Sequence, residues 1–301
     1  MPLVPTTLTA LTSVGVPEVD HLPETDVRFT NVPALFACLD AITDSDIDSV
    51  TVADVAPSDY AAIDEEFQAR GRKTRLFFLA EHKLLIITIP TRSHEKLHLL
   101  LYTGIEGQIQ QMGLRRAWTA SGATRFPGKD ASSSSASQGE GDSGGMPSPE
   151  RDGEDAWPTI VVEGGYTQSL ESLRAKIRFW FARSAHSVKI VVLAKAFPED
   201  KAQKRILIEQ WQERDVSVAA ARPGATATRL SSMLPSATLQ QPVCIQTINI
   251  VWALPGVAYD EASPAQRRDP EAFNVPVGPS ERDIVLLDDD LQWCASKVWY
   301  Q

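Results

Sequence analysis

Cysteine is scarce in this chain: three residues, Cys38, Cys244 and Cys294, stand far apart, are odd in number and form no CxxC pair. This excludes a disulfide framework and a zinc knuckle, and it points to a reducing compartment. No apolar run approaches the roughly 18 residues that a membrane span needs. Met1-Pro2-Leu3-Val4-Pro5 has no basic segment followed by an apolar one. An intracellular protein without a membrane partner is expected, with nucleus and cytoplasm left open. Positive charge is not in excess, since 29 Lys and Arg against 39 Asp and Glu give a net charge of -10. Gly164-Gly165 lacks the further glycines of a dinucleotide or phosphate loop, so no nucleotide cofactor is expected. No internal repeat is visible.

What is present is 301 residues with 43% hydrophobic content, enough to bury a substantial core. The charge is unevenly spread. Residues 1–69 carry 13 acids and the single base Arg28, whereas residues 70–126 carry ten bases and three acids. Residues 169–214 carry ten bases and five acids. Two basic blocks therefore flank an acidic spacer, either as a phosphate-facing surface masked by the acidic N-terminal region or as solvated helix faces. The acidic region is also a candidate docking arm for protein partners.

Periodicity gives the organisation. Arg75–Leu79 and Leu84–Ile89 are short apolar runs separated by Ala80-Glu81-His82-Lys83, a hairpin signature. Ser93 opens a helix with Leu97, Leu101, Ile105, Ile109 and Met112 on one face, ending at Gly113. Thr159–Glu163 reads as a buried strand broken by Gly164-Gly165. A second amphipathic helix follows over 169–183, then strands at 188–193, 205–211 and 245–254. Residues 1–68 and 215–240 read as irregular or weakly helical. The segment 127–156, rich in Ser, Gly, Pro and acid, reads as a disordered polar insertion. The expected division is an acidic region over 1–68 and one domain over 69–301, an α/β fold with a mixed central sheet flanked by helices.

Glu163 draws attention because a continuous apolar strand ending in a carboxylate sets an acid at a sheet edge, where α/β folds hold ligands. Thirteen residues on, Lys176 lies at the border of the second helix's apolar stripe and can lean toward that acid. Two carboxylates and a lysine are the parts of a metal-dependent phosphodiester hydrolase. His94-Glu95, with His98 on the same helix, is not read as an HExxH or other spaced ligand set and is assigned a capping and packing role rather than metal binding, with Glu95 able to face the cleft. Arg174 and Arg178, one turn apart, either contact phosphate or solvate the helix face.

In order along the chain, several features together resemble the restriction-endonuclease-like PD-(D/E)XK domains found in fungal proteins. They are Leu84 to Pro90, His94-Glu95 and the helix to Met112-Gly113-Leu114, then Gly122-Ala123-Thr124. Trp157 to Tyr166, Ser169, Leu173-Arg174, Trp180 and Val188-Lys189-Ile190-Val191 follow. The resemblance spans about residues 75–215, with a similar tail from Glu281 to Trp299. It implies a restriction-endonuclease-like sheet and, for active members, Mg²⁺- or Mn²⁺-dependent cleavage of nucleic acid. Glu163 is the implied metal ligand and Lys176 the water-positioning residue. The first metal Asp of the resemblance falls in a stretch reading Lys-acid-Ala-Asp-Ser-Ser. Lys129-Asp130-Ala131-Ser132-Ser133-Ser134 places Ser132 there on strict register, Asp130 serves after a two-residue shift, and Asp152 and Asp155 are alternatives. Gly165 stands where a lysine is expected two positions after Glu163. Two functions follow: a nuclease acting on DNA or RNA, or an inactive nuclease-fold scaffold that binds proteins.

Overall fold

The structure is a computed structural model that describes residues 7–11, 22–42, 46–127, 137–151, 153, 156–199, 203–217, 238–253 and 284–299. In chain order the N-terminal part comprises β1 (Thr7–Leu11), β2 (Val27–Arg28), α1 (Val32–Ala41), β3 (Ser49–Ala53) and α2 (Pro57–Ala69). The middle comprises β4 (Arg75–Leu79), β5 (Leu84–Thr88), α3 (Arg92–Gln111), β6 (Trp118–Ala120), β7 (Arg125–Pro127), β8 (Gln138–Glu140) and β9 (Ser143–Pro147). The remainder comprises β10 (Ile160–Gly165), α4 (Leu170–Arg183), β11 (Ile190–Phe197), β12 (Gln203–Ser217), β13 (Thr238–Ala253) and α5 (Asp288–Trp299). The strands form two mixed sheets, one ordered β1-β13-β12-β11-β10-β9-β6 and the other β2-β3-β5-β4-β8-β7.

The period of two along each strand decides the layering. In the β4–β5 hairpin, Phe77 pairs with Ile86 and Leu79 with Leu84, and all four face α4. Leu76, Phe78, Leu85 and Ile87 face α1 and α2 instead. In the larger sheet, Val161, Val191 and Leu193 face α4, whereas Ile160, Val162, Ile190 and Val192 face α3 and α5. Helix α4 therefore lies between the two sheets, buried through Leu173, Ile177, Trp180 and Phe181. Strands covered on both faces read as unbroken apolar runs, which is why β5, β10 and β11 were legible. Both long helices are capped by hydroxyls: Thr91 accepts from His94 N at the start of α3, and Ser169 from Ser172 N at the start of α4.

Several expectations are corrected. The stretch 1–68, expected to be irregular or weakly helical, contains two helices, α1 and α2, on the outer face of the smaller sheet, and the strand β3, which pairs with β5 across the expected boundary at 68/69. Strand β10 runs through Gly164 and Gly165 rather than breaking there. The segment 127–156 is not a disordered insertion throughout. Strand β8 joins the smaller sheet beside β4, and β9 joins the larger one between β6 and β10. Its glycines, which suggested a flexible loop, are close-approach residues: a Cβ on Gly139 would lie 2.7 Å from a ring carbon of Phe77, and one on Gly145 would lie 2.5 Å from the Trp118 indole nitrogen. Of the region 215–240, residues 218–237 lie outside the described residues.

Gly145→Ala accordingly forces an overpacked contact with Trp118 and Tyr102. It is expected to lower stability by about 1–3 kcal/mol, read as a fall in the urea midpoint with unchanged m-value.

Candidate active site

Where β9 and β10 run antiparallel, Val162 pairs with Ser143, and the next positions outward on the two strands are Glu163 and Asp142. Helix α4 sends Lys176 to this point. Its Nζ donates to Glu163 Oε2 at 3.2 Å and to Thr88 Oγ1 at 3.3 Å. Glu163 Oε1 accepts from the Trp180 indole at 2.7 Å, and Asp142 Oδ2 accepts from the Gly164 amide at 2.8 Å. Glu163, Lys176 and Asp142 are 0%, 1% and 3% exposed, so the trio is enclosed.

A second tier surrounds it. His94, in the first turn of α3, places Nδ1 3.1 Å from Asp48 Oδ2 and Nε2 3.2 Å from Asp142 Oδ1. One turn on, His98 Nδ1 is 2.8 Å from Ser143 Oγ. Arg75, entering from β4, donates through Nη1 to Glu95 Oε1 at 2.9 Å and lies 3.5 Å from Asp142 Oδ1. Asp48, immediately before β3, accepts from the amides of Tyr166, Thr167 and Gln168 at 2.5, 2.7 and 3.0 Å, pinning the turn that leaves β10.

The protonation states follow from burial against partners. Burial alone would raise Asp48, but the His94 hydrogen bond and charge, with Thr167 and Tyr166, hold its carboxyl at about 2. Burial likewise opposes charge on His94, yet Asp142 and Asp48 on its two nitrogens push it up to about 9. Glu163 is pushed up to about 7 by burial, against the pull of Lys176 and reinforced by Asp142. Asp142 is held well below the usual carboxylate range despite burial, chiefly by His94 and Lys176. The ammonium of Lys176 is kept charged by Glu163 and Asp142 against its own burial. Three cations, Arg75, His94 and Lys176, thus face four carboxylates, Asp48, Glu95, Asp142 and Glu163, and the imbalance is relieved at Glu163.

The structure brings together Glu163 and Lys176 as the sequence suggested. Asp130 lies outside the described residues, as do Asp152 and Asp155, and the acid beside Glu163 is Asp142. The signal for it was legible: Glu140-Gly141-Asp142-Ser143 reads acid, small residue, Asp, Ser, ten residues beyond the register that put Ser132 in the Asp position. His94 and His98 are not merely capping and packing residues. His94-Glu95-Lys96-Leu97-His98 has the HExxH spacing, which sets two imidazoles on one helix face, and both reach the Asp142 end of the cluster. Arg174 does not offer its guanidinium to phosphate. It makes a two-pronged pair with Glu209, itself buried and also held by Trp211 Nε1. Arg178, half-buried, lines a shallow surface cavity with Glu81, His82 and Arg183. Part of the first basic block is paired with carboxylates: Arg70 and Arg72 with Asp40 at the surface, and Arg125 with Asp64 and Glu140.

No family model, no curated protein and no solved structure matches this chain. No helix among the described residues is long and apolar enough to cross a membrane.

Asp48 makes a pH prediction. Its folded pKa of about 2 lies below the ordinary 3.8, so the stability it contributes is present above pH 4 and is lost as pH falls through about 2. The shift corresponds to about 2 kcal/mol. Asp48→Asn, which cannot accept from three amides and an imidazole at once, is expected to cost about 3 kcal/mol at pH 7. It should also flatten the fall in urea midpoint between pH 4 and 2.

Proposed function

We propose that this chain is a PD-(D/E)XK-like protein with a metal-dependent phosphodiester hydrolase site built from Asp142, Glu163 and Lys176. The observation that carries the reading is the pair of acids one step beyond Val162 and Ser143 on neighbouring antiparallel strands, with one lysine held against them. The donor set suits a hard divalent cation. Both ligands are carboxylates, and Asp142 Oδ1 makes no aligned hydrogen bond beyond its ion-pair contacts with His94 and Arg75. Asp142 and Glu163 would hold Mg²⁺ or Mn²⁺, which would supply polarisation of a phosphoryl oxygen and activation of water. Lys176 would contribute an ammonium, fixed by Glu163 and Thr88, to orient a water and offset charge on a phosphate. Trp180 and Thr88 hold Glu163 and Lys176 in place. Nucleic acid, DNA or RNA, is the substrate class that the resemblance implies.

The burial of the trio favours a second reading, a closed scaffold of the same fold that serves as a protein-interaction module. The pairing of Arg125 with Asp64 and Glu140 and of Arg174 with the buried Glu209 supports it, because these cations already have carboxylate partners.

Labelled single- and double-stranded DNA and RNA incubated with Mg²⁺ or Mn²⁺ separate the two. Under the first reading the wild type cleaves, and Asp142→Asn and Glu163→Gln each lose about 100-fold or more. Wild type inert on every substrate supports the scaffold. In that case Lys176→Met alone is expected to cost about 3–5 kcal/mol, and the Glu163→Gln/Lys176→Met double variant to recover most of it, as measured by urea unfolding.

A further inference from the structure

We propose that His94, His98 and Asp142 form a separate binding site for a first-row transition metal, Zn²⁺ being the best match. Their ligand atoms lie within 4.8 Å of one another, and His94 Nε2 is already 3.2 Å from Asp142 Oδ1. Tetrahedral bonds of about 2.0–2.2 Å set ligand atoms roughly 3.3–3.5 Å apart, so the cluster closes on a cation with shifts on the order of 1 Å. The site goes beyond the proposed hydrolase, since neither histidine belongs to that trio, although Asp142 is common to both.

Two observations point to a metal rather than to packing. The first is weakly satisfied polarity: His98 Nε2 and Asp142 Oδ1 are fully buried and make no aligned hydrogen bond, having only ion-pair contacts, His98 Nε2 with Glu95 at 3.4 Å and Asp142 Oδ1 with His94 at 3.2 Å and Arg75 at 3.5 Å. Buried polar atoms left in this state cost stability unless something binds them.

The second is ring orientation. Metal-bound histidines give their other nitrogen to a carboxylate or hydroxyl that fixes the ring. Here His94 Nδ1 faces Asp48, an obligate acceptor tied down by three backbone amides, and His98 Nδ1 faces Ser143 Oγ. Both Nε2 atoms are thereby turned toward Asp142.

Imidazole donors select Zn²⁺ over Mg²⁺, which prefers oxygen and keeps its water. Three protein ligands leave a fourth position beside Glu95, whose side chain is 32% exposed and marks the way in from solvent. Arg75 is the built-in competitor. Its Nη1 lies 3.4 Å from His94 Nε2 and 3.5 Å from Asp142 Oδ1, so its positive charge sits against the space a metal would take. Removing that guanidinium strengthens the site.

The test uses the full chain without a polyhistidine tag, titrated with Zn²⁺ against a chromophoric chelator and with Co²⁺ followed by visible absorption. One equivalent is expected to bind with a tetrahedral Co²⁺ spectrum. His98→Ala should weaken binding at least 100-fold and remove the spectrum, while Arg75→Gln tightens binding about tenfold, a gain that misfolding cannot produce. His186→Ala, half-exposed beside Glu213, leaves binding unchanged. Glu163→Gln, which abolishes the proposed cleavage, retains the Co²⁺ spectrum, so the two sites fail independently. Folded wild type that binds no Zn²⁺, or His98→Ala that binds as tightly as wild type, overturns the proposal.

Discussion

Four carboxylates buried or half-buried at one junction constrain everything around them. Asp48 precedes β3, Glu95 stands on α3, Asp142 precedes β9 and Glu163 lies on β10, while the compensating cations arrive on β4, α3 and α4. A buried carboxylate without a partner costs several kcal/mol, so none of these elements can shift independently. The apolar layers on either side of α4 supply most of the burial but tolerate sliding. The ion network does not: Asp48 ties the smaller sheet to the turn after β10, and Lys176 ties the central helix to both sheets through Thr88 and Glu163.

Some of the opposite charge in the first two blocks of the sequence is paired within the chain. Acids of the first 69 residues meet bases of the following block within the fold, Asp40 with Arg70 and Arg72, and Asp64 with Arg125. Exposed pairs such as Arg70–Asp40 contribute little each. Arg125 is different, because it bridges Asp64 on α2 and Glu140 on β8 and so fixes a strand with little apolar side chain of its own.

Legibility in the sequence followed the source of the stabilising energy. Elements held by their own apolar periodicity were readable: the β4–β5 hairpin, α3 from its stripe to Met112, β10, α4 and β11. Strands β8 and β9 were not, because Gln138-Gly139-Glu140 and Ser143-Gly144-Gly145 take their burial from partners, the ring of Phe77 and the side chains of Tyr102 and Trp118. Composition reads such segments as flexible. In the site, Glu163 and Lys176 were found through the strand and helix that carry them. Asp142 was missed with its strand, and Asp48 was missed because its partners are distant in the chain, His94 by 46 residues and the amide of Gln168 by 120.

Stability and chemistry compete for the same atoms here. Lys176 and Arg75 sit where positive charge is most needed, and each sets its own charge against the space a metal would take. A cation that enters must therefore offer more than an ammonium or a guanidinium already in place. A divalent ion does so only by gathering ligands from several elements at once, as Asp142 with Glu163 or Asp142 with His94 and His98 allow. Asp142 is the residue common to every arrangement. Its Oδ2 is fixed by the Gly164 amide while its Oδ1 faces His94 and Arg75, so each proposed metal site would have to compete with those cations for one oxygen atom.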